Sequence, residues 1–230
     1  HMEELQARVV YEKANVGLAF DGDADRLLAV DENGNIVDGD QIMAIVGNYM
    51  KSKGTLKKDT IVATVMSNLG FFLMAEKNAI HMEKTKVGDR YVLERMKEIG
   101  ASLGGEQSGH IIFSKHATTG DGILTSLMLM EVIIEKKLPL NILASEVSIY
   151  PQLLENVRVA NKAAARNNEE VKKAIASVEE ELGEDGRILV RESGTEPVIR
   201  VMVEARKDAI CREMVQRVID VMDKEGLILS

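Results

Sequence analysis

Three carboxylates at alternate positions, Asp21, Asp23 and Asp25, follow the apolar run Val16-Gly17-Leu18-Ala19-Phe20 and directly precede Arg26. Two carboxylates about 5 Å apart repel by about 3 kcal/mol at an effective dielectric near 20. Three held in one short loop need a cation or must take up protons. Oxygen-only ligands in a compact loop suit a hard divalent ion such as Mg²⁺. A metal held this way serves phosphate chemistry, where it neutralises charge on the moving group.

Three readings of this loop compete. Gly and Asp are ordinary turn residues, so a solvated acidic turn is the plainest. Asp21, Asp23 and Asp25 also fall at the first ligand positions of a calcium EF-hand loop and Glu32 at its last. The position that demands glycine there holds Arg26, and no helical pattern precedes the loop. The third is a magnesium loop at a strand end, as in phosphoryl-transfer enzymes. Phosphatases of the haloacid-dehalogenase type also place an Asp-x-Asp pair after an apolar strand, with Asp21 then a covalent nucleophile. The loop alone does not separate these.

Two other loops carry polar chemistry. Arg191-Glu192-Ser193-Gly194-Thr195-Glu196-Pro197, with Arg200 beyond it, offers guanidinium groups, hydroxyls and a flexible backbone at Gly194. That is the donor set a phosphate requires, although an ordinary polar turn has the same composition and Glu196 counts against an anion. Gly104-Gly105-Glu106-Gln107-Ser108-Gly109-His110 places Glu106 and Ser108 on one face of an expected extended segment, able to grip vicinal sugar hydroxyls. His110 can exchange protons near neutral pH. A glycine-rich turn with an exposed glutamate is the bland alternative. A weaker patch, Thr85 to Arg90, contributes Lys86 and Arg90.

The elements that must position these loops are readable from periodicity. Val16–Phe20 and Leu27–Asp31 read as strands, with Asn33-Gly34 supplying the turn after the second. From Asp40, an expected helix cap, the pattern becomes helical, with Ile42, Met43, Ile45, Val46, Tyr49 and Met50 on one stripe. Strands over 60–65 and 80–87 alternate with helices over 68–78, 88–99 and 121–137. Beyond Tyr150-Pro151, strands over 153–160, 187–191 and 198–205 accompany helices over 168–182 and 207–225, and residues 161–166 read as a loop-like exit. The fold class is therefore α/β: a layered α/β domain followed by a small α+β domain.

Composition narrows the function classes. Of 230 residues, 45% are hydrophobic, which suffices for a core. The net charge of −8 disfavours nonspecific binding to nucleic acid or anionic membranes. The single cysteine, Cys211, cannot form an internal disulfide and fits a reducing, cytoplasmic setting. Cys211 lies in a helical pattern with no catalytic context. No apolar run is long enough for a membrane span, and no signal peptide is read. His1-Met2 reads as a remnant of tag removal and is set aside.

Taken in order, the metal loop Asp21-Gly22-Asp23-Ala24-Asp25-Arg26, the sugar loop Gly105-Glu106-Gln107-Ser108-Gly109-His110 and the phosphate loop Arg191–Pro197 resemble those of the α-D-phosphohexomutase superfamily. The resemblance runs from about Ala14 onward. It implies a four-domain enzyme of which this chain is the C-terminal half: residues 1–35 as the tail of domain two with the metal loop, 36–148 as an α/β sugar-binding domain and 149–230 as an α+β phosphate-binding domain. It implies Asp21, Asp23 and Asp25 as Mg²⁺ ligands, and Arg26, His110 and Lys86 as catalytic groups. Glu106 and Ser108 would hold the sugar; Arg191, Ser193, Gly194, Thr195 and Arg200 would hold the phosphate that is not reacting. The form of the sugar and phosphate loops is similar to the bacterial branch that interconverts glucosamine 6-phosphate and glucosamine 1-phosphate through a phosphoserine and a bisphosphate intermediate. The branch acting on mannose and glucose phosphates is the alternative. The superfamily's Ser-His-Asn-Pro-like loop is absent from this sequence, so the chain alone is expected to show no turnover. The expected partner is a phosphosugar, with no nucleic acid and no membrane; a homodimer stays open for the full-length protein.

Overall fold

The computed structural model describes residues 1–229. They divide into two compact units, residues 1–148 and residues 149 onward. The first opens with helix α1 (Glu3–Glu12) and an antiparallel sheet of β1 (Val16–Phe20), β2 (Leu27–Asp31) and β3 (Ile36–Val37), in that order. Val16 lies opposite Asp31 and Phe20 opposite Leu27, so the acidic loop closes the β1–β2 hairpin. The β2–β3 turn is the Asn-Gly turn read from sequence: Gly34 sits at φ +85°, and Asp31 Oδ1 accepts the Asn33 and Asn35 N–H groups at 2.9 Å each.

Then come α2 (Gly39–Ser52), β4 (Thr60–Thr64), α3 (Leu69–Lys77), β5 (His81–Thr85), α4 (Asp89–Ile99), β6 (Leu103–Gly105), β7 (Ile111–Phe113), α5 (Gly122–Lys136) and α6 (Leu140–Ala144). The second sheet has the order β5-β4-β6-β7, with β4 parallel to β5 and β6, and β7 antiparallel to β6. All five residues of β4 are buried, as a strand covered on both faces must be. Its alternation splits the core. Ile61 and Ala63 pack with Ile42, Met43, Phe71 and Leu129, while Val62 packs with Val92, Met96 and Ile112. Helices α2, α3 and α5 therefore cover one face and α4 the other, giving an α/β/α sandwich.

One cap differs from the sequence reading. Asp38, not Asp40, starts α2: its Oδ1 accepts the Gln41 N–H at 3.1 Å, and Gln41 Oε1 accepts the Asp38 N–H at 3.3 Å, a reciprocal capping box. Asp40 lies inside the first turn, fully buried, where Oδ2 accepts the Asn68 N–H at 2.7 Å.

The second unit contains β8 (Gln152–Arg158), α7 (Lys162–Asn167), α8 (Glu169–Leu182), β9 (Gly186–Glu192), β10 (Val198–Ala205) and α9 (Asp208–Lys224). Its antiparallel sheet has the order β8-β10-β9. Ile199, Val201 and Val203 of the central strand face Val178, Met214, Val218 and Met222 of α8 and α9, so those helices cover one face. Residues 161–166, expected as an exit segment, form α7 instead, capped by Asn161 Oδ1 on the Ala164 N–H at 3.0 Å. Cys211 is buried, and its Sγ donates to Pro151 O at 3.3 Å.

Candidate active site

The acidic loop folds because its own backbone turns back on itself. Ala24 N–H donates to Asp21 O at 3.2 Å, and Ala24 takes φ +58°, a left-handed conformation disfavoured for a residue with a Cβ. Strain of this kind persists only where the surroundings enforce it. Here the Gly122 N–H at the start of α5 holds Ala24 O at 2.9 Å. The loop thereby presents Asp21, Asp23 and Asp25 with ligand oxygens all within 4.8 Å of one another. Arg26 closes it from below: its N–H reaches Asp21 Oδ1 at 3.2 Å, and its Nε lies 3.7 Å from both Asp21 Oδ2 and Asp25 Oδ1.

The electrostatics of the loop are those of too few cations. Partial desolvation, then the hydrogen bond and charge of Asp21 and the charge of Asp23, push the Asp25 carboxyl above its ordinary range. At Asp21, desolvation is outweighed by the Arg26 N–H, the hydrogen bond with Asp25 and the Arg26 guanidinium, so that carboxyl is held below its ordinary range. The two carboxyls are thus shifted in opposite directions. An all-oxygen set of this charge and compactness suits a hard divalent cation.

The sugar loop joins the acidic loop through the backbone. Leu27 N–H donates to Gly109 O at 3.1 Å, and Arg26 and His110 form an isolated antiparallel bridge. Gly109 is required at this crossing: φ is +93°, and a Cβ would run into the Leu27 carbonyl. The loop is not the extended segment read from sequence. Gly109 N–H donates to Glu106 O at 3.0 Å and Glu106 N–H to His110 O at 3.0 Å, which makes residues 106–109 a tight turn. Glu106 Oε1 accepts the Gly88 N–H at 3.0 Å, and Ser108 is exposed. The Lys86–Arg90 junction is thus tied to the sugar loop, with Lys86 itself exposed.

His110 is buried beside the acidic loop. Its Nε2 lies 3.5 Å from Asp25 Oδ2 and 4.0 Å from Asp89 Oδ2. The same nitrogen accepts the Gly120 N–H at 3.1 Å, which places the proton of a neutral ring on Nδ1. A Cβ on residue 120 would strike the ring, so glycine there lets the backbone make this bond. Gly120 and Gly122 were not singled out by sequence reasoning. The only local trace of them is a Gly-Asp-Gly at a helix start, and their targets are distant in the chain.

The phosphate loop lies in the second unit, between β9 and β10. Arg191 and Arg200 sit directly opposite one another in that ladder. Like charges so placed destabilise a sheet. Burial, then the Arg200 charge, pushes the Arg191 guanidinium below its ordinary value. The Nε atoms of both are buried with no hydrogen-bond partner among the described residues. The exposed Glu196 carboxylate reaches the Arg200 Nη2 at 3.2 Å and leaves both buried Nε atoms without a partner among the described residues. Ser193 is buried, its Oγ accepting the Glu196 N–H at 3.2 Å and its N–H donating to Val198 O at 3.0 Å, while Gly194 and Thr195 are exposed.

Comparison with known proteins matches this arrangement to one family. The family model for phosphoglucomutase/phosphomannomutase, alpha/beta/alpha domain III, matches residues 38–150. The model for the phosphoglucomutase/phosphomannomutase C-terminal domain matches residues 154–221. The chain belongs to the phosphoglucomutase/phosphomannomutase family. Among curated relatives, it is 54% identical over 228 residues to the phosphoglucosamine mutase of Lachnoclostridium phytofermentans, covering 99% of this chain and 51% of the relative. It is 55% identical over 225 residues to that of Bacillus subtilis, covering 98% and 50%. The chain thus spans about half the length of the curated relatives it matches. In fold it is similar to a phosphoglucomutase/phosphomannomutase family protein of Burkholderia thailandensis, at TM-score 0.77 and 23% identity over 98% of this chain and 51% of that one. It is also similar to the N-acetylphosphoglucosamine mutase of Aspergillus fumigatus solved with GlcNAc-6P and magnesium, at TM-score 0.74 and 23% identity over 91% and 48%. No helix of the described residues is long and apolar enough to cross a membrane.

Proposed function

We propose that this chain is the metal-, sugar- and phosphate-binding half of a cytoplasmic phosphoglucosamine mutase, which interconverts glucosamine 6-phosphate and glucosamine 1-phosphate. In this reading residues 1–35 are the tail of a second domain, 36–148 the third and 149–230 the fourth. The observation that carries it is the backbone junction of Leu27 with Gly109, which holds a triple-carboxylate loop against a glutamate–histidine turn with His110 Nε2 3.5 Å from Asp25. The identity to curated phosphoglucosamine mutases favours glucosamine over glucose or mannose.

Asp21, Asp23 and Asp25 would hold Mg²⁺, which when bound supplies positive charge against a phosphoryl group in transfer. Arg26 keeps the carboxylates aimed at one point and brings a guanidinium to the reacting phosphate. Glu106 spends Oε1 on Gly88 and keeps Oε2 for a sugar hydroxyl, with Ser108 beside it. His110 is held by Gly120, so its Nε2 can take a proton from a reacting hydroxyl only when that bond is exchanged. Lys86 adds an exposed cation. Arg191 and Arg200, with the Gly194 and Thr195 backbone and Ser193, bind the phosphate that is not reacting, and the cross-strand guanidinium pair gains a counter-ion. A phosphoserine, the family's phosphoryl carrier, is assigned to the region outside this chain.

The test is turnover by a protein of the relatives' full length that carries this chain as its C-terminal half. Conversion of glucosamine 6-phosphate in preference to glucose and mannose phosphates is the expected result. Preference for mannose or glucose phosphate would overturn the substrate, and turnover by the 230-residue chain alone would overturn the division of labour.

A further inference from the structure

Lys162, the first residue of α7, is far from the phosphate loop in sequence and was not among the residues its chemistry suggested. Its Nζ nevertheless reaches two carbonyls of that loop, Ser193 O at 2.7 Å and Glu196 O at 3.3 Å. The ammonium has no carboxylate within ion-pairing distance among the described residues. A lysine has three donors and no acceptor, so two backbone oxygens with outward-facing lone pairs suit it. The consequence lies in the peptide plane. In a trans peptide the C=O and the following N–H point in opposite directions. With Ser193 O turned towards Lys162, the Gly194 N–H is turned to the other side of the loop. No hydrogen bond within the described residues uses that N–H. Nothing crowds Gly194: a Cβ there would meet no atom within 4 Å. The carbonyls, which would repel an anion, are thus gathered on one side against a cation. The Gly194 N–H is left for the other.

We infer that Lys162 is a positioning residue that clips the Ser193 and Glu196 carbonyls and so presents the Gly194 N–H to a phosphate group. The inference rests on the reading of Arg191–Pro197 as a phosphate loop and adds the device that orients its backbone. Two of the ammonium's three donors are used on the carbonyls.

The experiment titrates the 230-residue chain with inorganic phosphate and follows the Gly194 amide by NMR. Unmodified protein is expected to show a saturable shift there. Lys162→Met is expected to weaken phosphate binding about tenfold, the scale of losing a charge-assisted hydrogen bond, while the second unit still melts cooperatively. Lys162→Arg, which keeps a cationic donor, is expected to restore most of the affinity. Phosphate binding by Lys162→Met equal to that of the unmodified chain would overturn the inference. A second measurement needs no variant: the Lys162 ammonium protons should exchange slowly with water, and fast exchange would overturn the clip. If the unmodified chain shows no shift at Gly194, the phosphate-loop reading itself fails, which is a different result from an indifferent Lys162.

Discussion

Gly109→Ala tests how firmly the acidic loop and the sugar loop are one structure. Residue 109 sits at φ +93°, where a Cβ costs about 1–2 kcal/mol. That Cβ would also enter the Leu27 carbonyl, so the crossing strands must part and the Leu27 N–H to Gly109 O bond at 3.1 Å lengthens or breaks. A lost backbone hydrogen bond adds about 1 kcal/mol. The sum, about 2–3 kcal/mol, falls on the first unit alone. For a unit of this size it corresponds to a fall in melting temperature of about 5–10 °C. Calorimetry resolves it, since the two units need not melt together. The displacement also pulls Arg26 and His110 apart, so Mg²⁺ affinity measured by titration should fall in the same variant. A melting transition within about 2 °C of the unmodified chain, together with unaltered Mg²⁺ binding, would refute the argument that this glycine welds the two loops.

Asp25→Asn removes a carboxyl that desolvation and its two neighbours already push towards protonation, so the chain should lose at least about tenfold in Mg²⁺ affinity by titration calorimetry, with no loss of thermal stability. Arg191→Leu relieves a like-charge pair across the ladder; it should leave the second unit as stable or more so in denaturant, while phosphate protection against unfolding disappears. Asp38 is raised above its ordinary value by burial, against the Gln41 N–H and the Gln107 side chain. Its folded state therefore binds the proton more tightly than the unfolded state, and the stability this confers is complete below the ordinary carboxyl range and is lost as pH rises through the raised value. Asp38→Asn keeps a capping oxygen and should gain on the unmodified chain as pH goes from 4 to 7, whereas Asp38→Ala should lie about 1 kcal/mol of cap below Asp38→Asn at every pH; stability curves at several pH values check both.

What was legible in the sequence was local. Alternation and the Asn33-Gly34 turn show the β1–β2 hairpin and its neighbour because period and turn chemistry are both written within a few residues. The buried strand at 60–64 and the helices over 69–77, 89–99 and 122–136 are visible for the same reason. Helix α1 is hard to see in the sequence because it buries only Val9. β6 and β7, three residues each, are too short to show a period. Asp40 reads as a cap in place of Asp38 because its burial against Asn68 is a tertiary fact. The polar loops were legible as compositions. Their anchors were not: Gly122 on Ala24, Gly120 on His110, Gly88 on Glu106 and Lys162 on Ser193 are all non-local contacts in which at least one partner is a backbone group, and nothing in a neighbouring residue announces them.

The most direct measurement is a residue-resolved titration of this chain with glucosamine 6-phosphate, with and without Mg²⁺, read at the amides of Asp25, Gly109, His110 and Gly194. Saturable shifts are expected in the sugar loop and the phosphate loop, with tighter binding when Mg²⁺ fills the acidic loop. Shifts absent from Gly109 and His110, or an affinity for the sugar phosphate indifferent to Mg²⁺ and to Asp25→Asn, would contradict it.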